Sequence, residues 1–278
     1  MAEEQAWTIL DDIVAARRRV LEETRRAVPL ERVQLAAEAR QERRDFASAI
    51  SSGTQAPAQK GIRVIAELKR ASPTRGLLRQ PYRRREISQG YVAGGARAIS
   101  VLTEEQHFLG SLRDLTEVRE AVEVPVLRKD FILNSYQVYE SVAAGADALL
   151  LIAAVLPDRD LQGLIELSKQ LRVESLVEVH TEQELERALV AGARTVGVNN
   201  RNLRTLEVNL ETSFRLRARI PSGCIAVSES GVKTSADLRR LSEARFDAVL
   251  IGERLMLEAD PGDALRALLA GMQVPATP

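Results

Sequence analysis

The chain holds one cysteine, Cys224, and two histidines, His107 and His180. A single thiol closes no internal disulfide, and so few thiols and imidazoles leave no Cys-clustered metal site and little for a zinc site. Cys224 opens an apolar run and reads as an inert core thiol. Each histidine stands alone, which suits a structural or rim role. Neither charge sign is in excess: Lys+Arg and Asp+Glu are 39 each. That leaves no whole-chain attraction to nucleic acid or to an anionic membrane. The longest clean apolar run, Ala148 to Leu156, is far short of the roughly 20 residues of a spanning helix. The acidic start, Met1-Ala2-Glu3-Glu4, lacks the basic and apolar regions of a signal peptide, so a soluble cytoplasmic protein is expected. No Gly-x-Gly-x-x-Gly loop follows the first β-rich run, which argues against a dinucleotide-binding half.

What is present is a globular balance, 45% hydrophobic and 28% charged over 278 residues. Residues 1–48 read as helical, with Ile9, Leu10, Ile13, Val14, Val20 and Leu21 near a 3.6-residue period. Trp7 is placed in that helix as a packing residue. Pro29 breaks the pattern, and a second helix is expected from about Leu30 to Ala47. Arg17-Arg18-Arg19 reads as a solvated helix face, because acids and bases balance across this region. The stretch from Ser51 to Pro57 reads as a linker.

From Arg63 the texture alternates between short β-rich runs and amphipathic helices. The runs are Val64–Leu68, Ala98–Thr103, Val124–Lys129, Ala148–Ile152, Ser175–Val179, Thr195–Asn199, Ile225–Ser228 and Ala248–Ile251. Glycines at 94–95, 145 and 192 mark helix-to-strand joints, where glycine supplies the left-handed turn. An open sheet would also alternate, but eight evenly spaced units favour closure into a (β/α)8 TIM barrel. The expected organisation is an N-terminal helical extension and linker over 1–60 and the barrel over 61–278, one structural domain overall.

Barrel chemistry sits at the carboxyl ends of the strands. Those ends carry Glu67-Leu68-Lys69, Thr103-Glu104, Lys129-Asp130, Glu178-Val179-His180, Asn199-Asn200-Arg201, Ser228-Glu229-Ser230-Gly231 and Gly252-Glu253. Glu67 and Lys69 are two apart and share a strand face. With Lys129 and Glu178 they would place two lysines and two carboxylates at one rim, where each shifts the others' proton affinity. Only five of the basic residues are lysines, and two of these lie at strand ends. Lysine can be tuned for proton transfer, whereas arginine stays charged. Backbone N–H groups around Ser230-Gly231 and Gly252-Glu253 suit an anion such as phosphate.

The sequence resembles the indole-3-glycerol-phosphate synthase family almost end to end. The resemblance is carried by Ile65 to Pro73, Val101-Leu102-Thr103-Glu104, Phe108-Leu109-Gly110-Ser111, Val126 to Ile132, Leu176 to His180, Gly197 to Leu203, Ser228-Glu229-Ser230-Gly231 and Leu250-Ile251-Gly252-Glu253. It implies a barrel with a helical extension beside the mouth. It implies closure of an indole ring from 1-(2-carboxyphenylamino)-1-deoxyribulose 5-phosphate, with loss of carbon dioxide and water. No metal and no organic cofactor is implied.

By resemblance, Lys129 is the acid on the substrate carbonyl and Glu178 the catalytic glutamate. Glu67 and Lys69 are the first-strand pair, and Asn199 and Arg201 shape the site. Ser72, Ser230, Gly231, Gly252 and Glu253 match substrate- and phosphate-binding positions. Phe108, Phe131 and Leu203 match the pocket for the aryl ring. A lysine donor would gain from a depressed pKa. Which carboxylate serves which step stays open at this stage. A small phosphorylated substrate is the expected partner, with no nucleic acid and no membrane, and the chain is expected as a monomer or weak homodimer. The competing readings are phosphoribosylanthranilate isomerase, a Schiff-base aldolase using Lys129, and a binding-only barrel.

Overall fold

The computed structural model describes residues 8–53 and 61–273. Trp7 and the later part of the expected linker lie outside the described residues. Eight parallel strands close on themselves: β1 (Arg63–Leu68), β2 (Ala98–Leu102), β3 (Val126–Lys129), β4 (Ala148–Ile152), β5 (Glu174–Val179), β6 (Thr195–Asn199), β7 (Ile225–Glu229) and β8 (Ala248–Ile251). Closure runs through the β1–β8 pairing, with Arg63 opposite Ala248 and Ala66 opposite Ile251. The expected strands are all present. The third starts at Val126 rather than Val124, because Pro125 has no N–H to give the ladder; its carbonyl still accepts from Ile99.

The alternation along each strand sorts the side chains. Ile65, Leu127, Leu150, Leu176, Val227 and Leu250 pack together inside the barrel, while their neighbours Val64, Ala66, Val126, Leu149, Val177 and Val249 pack outward against the helices. The glycine joints behave as expected: Gly95, Gly145 and Gly192 have φ of 109°, 104° and 94°. At two other joints the left-handed residue is an arginine, Arg172 (φ 56°) and Arg245 (φ 64°), so a glycine search alone misses them.

The extension wraps the barrel from mouth to floor. It consists of α1 (Ile9–Ala27), α2 (Leu30–Ala39) and α3 (Phe46–Ile50). Thr8 and Asp11 form a capping box at the start of α1. Ile9, Leu10, Ile13 and Val14 lie against Phe108, Phe131 and Leu203 above the barrel. At the opposite end, α3 sends Phe46 and Ile50 into the barrel floor beside Ile65, Ala98 and Ala148.

Two expectations are corrected here. The second helix ends at Ala39, not Ala47, because the arginines that follow bind barrel carbonyls instead of prolonging it. Arg40 donates to the Val142 and Ala146 carbonyls, Arg43 to Leu171 and Arg44 to Val124. Asp45 then caps α3 by accepting from the Ser48 N–H. Of the three arginines at 17–19, Arg18 and Arg19 are exposed but Arg17 is buried. Its guanidinium lies 2.9 Å from the Asp130 carboxylate, next to Lys129.

Candidate active site

At the carboxyl ends of the strands lies a cavity of about 750 Å³. Its base continues the inward faces of the strands. Glu67 stands two residues above Ile65, Lys129 two above Leu127, Glu178 two above Leu176 and Glu229 two above Val227. The hydrophobic interior therefore ends in a ring of ionisable groups. Register holds them level: Leu102 is opposite Lys129, Ile152 opposite Glu178 and Asn199 opposite Glu229.

Two ion pairs occupy this ring. Lys69 Nζ lies 2.7 Å from Glu67 Oε1. Lys129 Nζ lies 2.9 Å from Glu178 Oε2 and 3.5 Å from Glu229 Oε2. Burial works against the Lys129 charge, but Glu178, Glu229 and Glu67 outweigh it and hold the ammonium above its ordinary range. That corrects the expectation of a depressed pKa: Lys129 is a firmly charged proton carrier.

The two partners of Lys129 move in opposite directions. Burial pushes Glu178 up, yet Lys129, His180 and a hydrogen bond with Asn199 prevail, and it lies below its ordinary value. Burial pushes Glu229 up to about 8, with Glu178 and Glu67 adding to the rise and Lys129 opposing it. Neither Glu229 oxygen has a hydrogen-bond partner. At neutral pH this places an ionised Glu178 beside a protonated Glu229, and carboxyls pushed apart in this way divide basic and acidic tasks.

Glycines make the crowding possible. A Cβ on Gly252 would fall 2.2 Å from Glu67 Oε1, and one on Gly197 would fall 2.1 Å from Glu229 Oε1. Bare backbone at these points lets each carboxylate lean across the barrel.

The walls of the mouth divide by chemistry. Phe108 and Phe131 have ring centroids 6.5 Å apart and, with Leu203 and Ile152, make an apolar side. Glu104 fixes the loop that presents Phe108 by accepting from the N–H groups of Gln106, His107 and Phe108. The opposite side is formed by 230–233 and 252–254, with Lys233 and Arg254 among its residues. Glu253 lies there too, 2.9 Å from Arg75 and 3.6 Å from Arg201. Arg201 also donates to the Leu206 carbonyl, and Asn199 accepts from the Arg201 N–H.

The structure thus gathers Glu67, Lys69, Phe108, Lys129, Phe131, Glu178, Asn199, Arg201, Leu203, Ser230, Gly231, Gly252 and Glu253 around one cavity. Ser72 is buried in a small antiparallel ribbon with Gly76 and is not among the lining residues; Thr74 and Arg75 of the same loop are. Two strand-end residues outside the expected site set lie at its base: Glu229 lines the cavity and His180 reaches Glu178 from beside it. Glu229 was legible as a strand-end carboxylate two residues above an inward valine. His180 was legible as the residue two beyond Glu178 on the same face; its Nε2 lies 3.4 Å from Glu178 Oε1. Among the described residues no group of three or more His, Cys, Asp and Glu could hold a metal ion. No helix among them is long and apolar enough to cross a membrane.

Fold and mouth together define a (β/α)8 barrel with a ring of ionisable groups at the carboxyl ends of its strands. The profile of the family "Indole-3-glycerol phosphate synthase" matches residues 10–268. The indole-3-glycerol phosphate synthase of Mycolicibacterium gilvum is 45% identical over 271 residues, which cover 98% of this chain and 97% of that one. That of Carboxydothermus hydrogenoformans is 42% identical over 262 residues, covering 94% and 99%. Among solved structures, 3-hexulose-6-phosphate synthase from Salmonella typhimurium aligns with a TM-score of 0.61 at 15% identity, over 76% of this chain and 98% of that one, a likeness of fold alone. The chain belongs to the indole-3-glycerol phosphate synthase family, whose members are enzymes of decarboxylative ring closure, a carboxy-lyase reaction.

Proposed function

We propose that the mouth converts 1-(2-carboxyphenylamino)-1-deoxyribulose 5-phosphate to indole-3-glycerol phosphate with its two lysine–carboxylate pairs in separate steps. The observation that carries this reading is the pairing itself: Lys129 with Glu178, and Lys69 with Glu67, on one ring above the barrel core.

The aryl ring lies against Phe108, Phe131 and Leu203, and the phosphate lies along the loops at 230–233 and 252–254. Between them the substrate's ketone meets Lys129. Holding ring and ketone together removes much of the entropic barrier to closure. As the aromatic carbon attacks, Lys129 gives a proton to the ketone oxygen, which becomes a hydroxyl. Carbon dioxide then leaves and returns its electron pair to the ring. In the last step Lys69 protonates the departing hydroxyl and Glu67 takes the carbon-bound proton. Protonated Glu229 offers a hydrogen bond to substrate beside Lys129, and Asn199 and Arg201 orient Glu178 and the sugar chain.

The experiment is direct. Purified protein is mixed with the carboxyphenylamino-deoxyribulose phosphate and indole fluorescence is followed without added metal. Turnover that disappears in Lys129→Ala supports the assignment. Tight binding with no product would instead favour a binding-only barrel. A covalent adduct trapped by borohydride would favour the Schiff-base alternative.

A further inference from the structure

His180 and Glu184 do not line the cavity, yet they continue its acid–base chain outward. His180 Nε2 faces Glu178 Oε1 at 3.4 Å, and His180 Nδ1 lies 3.1 Å from Glu184 Oε2. Glu184 is fixed in turn: it accepts from the His180 N–H at 2.7 Å, and its own N–H donates to Thr181 Oγ1. Glu178 is 1% exposed, whereas the side chains of Lys129, His180 and Glu184 are 15%, 12% and 17% exposed, so the buried Glu178 bridges the cavity lysine and a partly exposed His180–Glu184 pair. His180 Nε2 is itself buried and has no hydrogen-bond partner of normal length.

The assigned reaction has a use for such a path. Closure, decarboxylation and dehydration consume one proton per turnover, because a carboxylate leaves as carbon dioxide and the ketone oxygen leaves as water. The Lys69–Glu67 pair is proton-neutral, since what Lys69 gives to the hydroxyl Glu67 recovers from carbon, and their 2.7 Å contact restores the pair. Lys129 gives a proton that no later step returns. Lys129 is therefore recharged once per turnover, and with substrate filling the mouth the chain through Glu178 and His180 offers a route that does not wait for product release.

We infer that His180, held by Glu184, is a proton-entry residue that recharges Glu178 and Lys129 from solvent outside the cavity, at the rim where β5 hands over to the next helix. The inference rests on the assignment of Lys129 to ring closure. The imidazolium gives its Nε2 proton to Glu178 Oε1. Rotation of that carboxyl presents the proton to the neutral Lys129 amine, restoring the ammonium and the Glu178 carboxylate. A turn of the neutral ring about Cβ–Cγ then carries the emptied Nε2 from Glu178 to the partly exposed edge of the side chain, where it takes a proton from hydronium or a buffer acid before turning back. The charged groups acting on His180 are Glu178 on its own strand, Glu184 on the following helix and Glu229 on β7. Burial works against the imidazolium, but these carboxylates raise its proton affinity above the ordinary histidine value, which keeps it loaded near neutral pH.

The test compares wild type, His180→Ala and His180→Asn at saturating substrate in dilute buffer, with and without added imidazole, after confirming folding by circular dichroism. The expected result is a kcat at least ~10-fold lower in both variants with KM little changed. Added imidazole should restore His180→Ala in proportion to the imidazolium concentration and leave wild type unaltered. Wild-type kcat in either variant, or a loss that imidazole does not restore, overturns the relay while the assigned reaction stands. A wild-type protein that forms no indole product overturns both. If His180→Ala does not fold, His180→Asn carries the decision through its pH profile: a relay predicts that its kcat becomes dependent on buffer concentration, and an unaltered profile overturns it.

Discussion

The mouth and the floor of the barrel both bury charged side chains, and they do so in opposite ways. On the floor, Asp147 is fully buried and accepts from the N–H groups of Val126 and Arg44 and from the Arg40 guanidinium. Asp247 accepts from the N–H groups of Ser52 and Ala226 and from the Ser52 hydroxyl. At the mouth, both oxygens of Glu229 lack a hydrogen bond. A raised pKa does not separate the two regions, since burial pushes both Asp147 and Glu229 up. What separates them is whether the lone pairs are met. Floor carboxylates are saturated by backbone and tie the extension to the barrel. At the mouth Glu67 and Glu178 are held by lysines, while Glu229 keeps capacity in reserve for a substrate and bears the cost of desolvation.

Substitutions at the two ends should therefore fail differently. Lys129→Ala should lower kcat per folded molecule by about 10³-fold or more, with the fold retained by circular dichroism. A variant retaining a tenth of the activity would remove Lys129 from the central role. Asp147→Ala should do the reverse. Leaving Arg40 and Arg119 facing an empty site should cost about 3–5 kcal/mol in denaturant unfolding, with kcat per folded molecule unchanged. A stable Asp147→Ala protein would show that the floor pairs are ornamental.

Gly252→Ala tests whether close approach matters at the mouth. The new methyl meets Glu67, which must swing away from Lys69. A fall in kcat of about 100-fold with little change in stability is expected. Unchanged kinetics would show that the Glu67–Lys69 contact is dispensable.

Glu229→Gln probes the reserve itself, and its sign follows from linkage. The carboxyl sits near 8 in the native protein against an ordinary 4.5, so between those values the native state holds a proton that the unfolded chain has lost. Wild-type stability attributable to this group is complete below about 4.5 and is lost as pH rises through about 8. Glutamine does not ionise. The variant should match wild type near pH 4.5 and exceed it by up to about 5 kcal/mol at pH 9, while turning over more slowly. Parallel stability curves across that range would mean that Glu229 is ionised throughout.

Much of the frame was legible in the sequence. Buried parallel strands read as short apolar runs, and the glycine joints at 95, 145 and 192 marked where helices hand over to strands. The strand-end charges followed by position, because a (β/α)8 barrel gathers all its strand ends on one face. Arg17 and the arginines after Ala39 were not legible. A helix-period pattern cannot tell an arginine that faces water from one that reaches a carboxylate or carbonyl more than 100 residues away. His180 was seen as a lone ring because its partner Glu184 lies on the next element and its other partner, Glu178, matters only once the strand face is known.

Sequence alone determined the number and order of the units, the residue types at the strand ends and the family, since those depend on local periodicity and on spacing along the chain. The tertiary structure decided proton affinities and partners. It set Lys129 above its ordinary range, drove Glu178 and Glu229 apart and joined His180 to the site. Those outcomes depend on distances of a few ångströms between strands and on how completely water is excluded, and neither quantity is written in the order of residues.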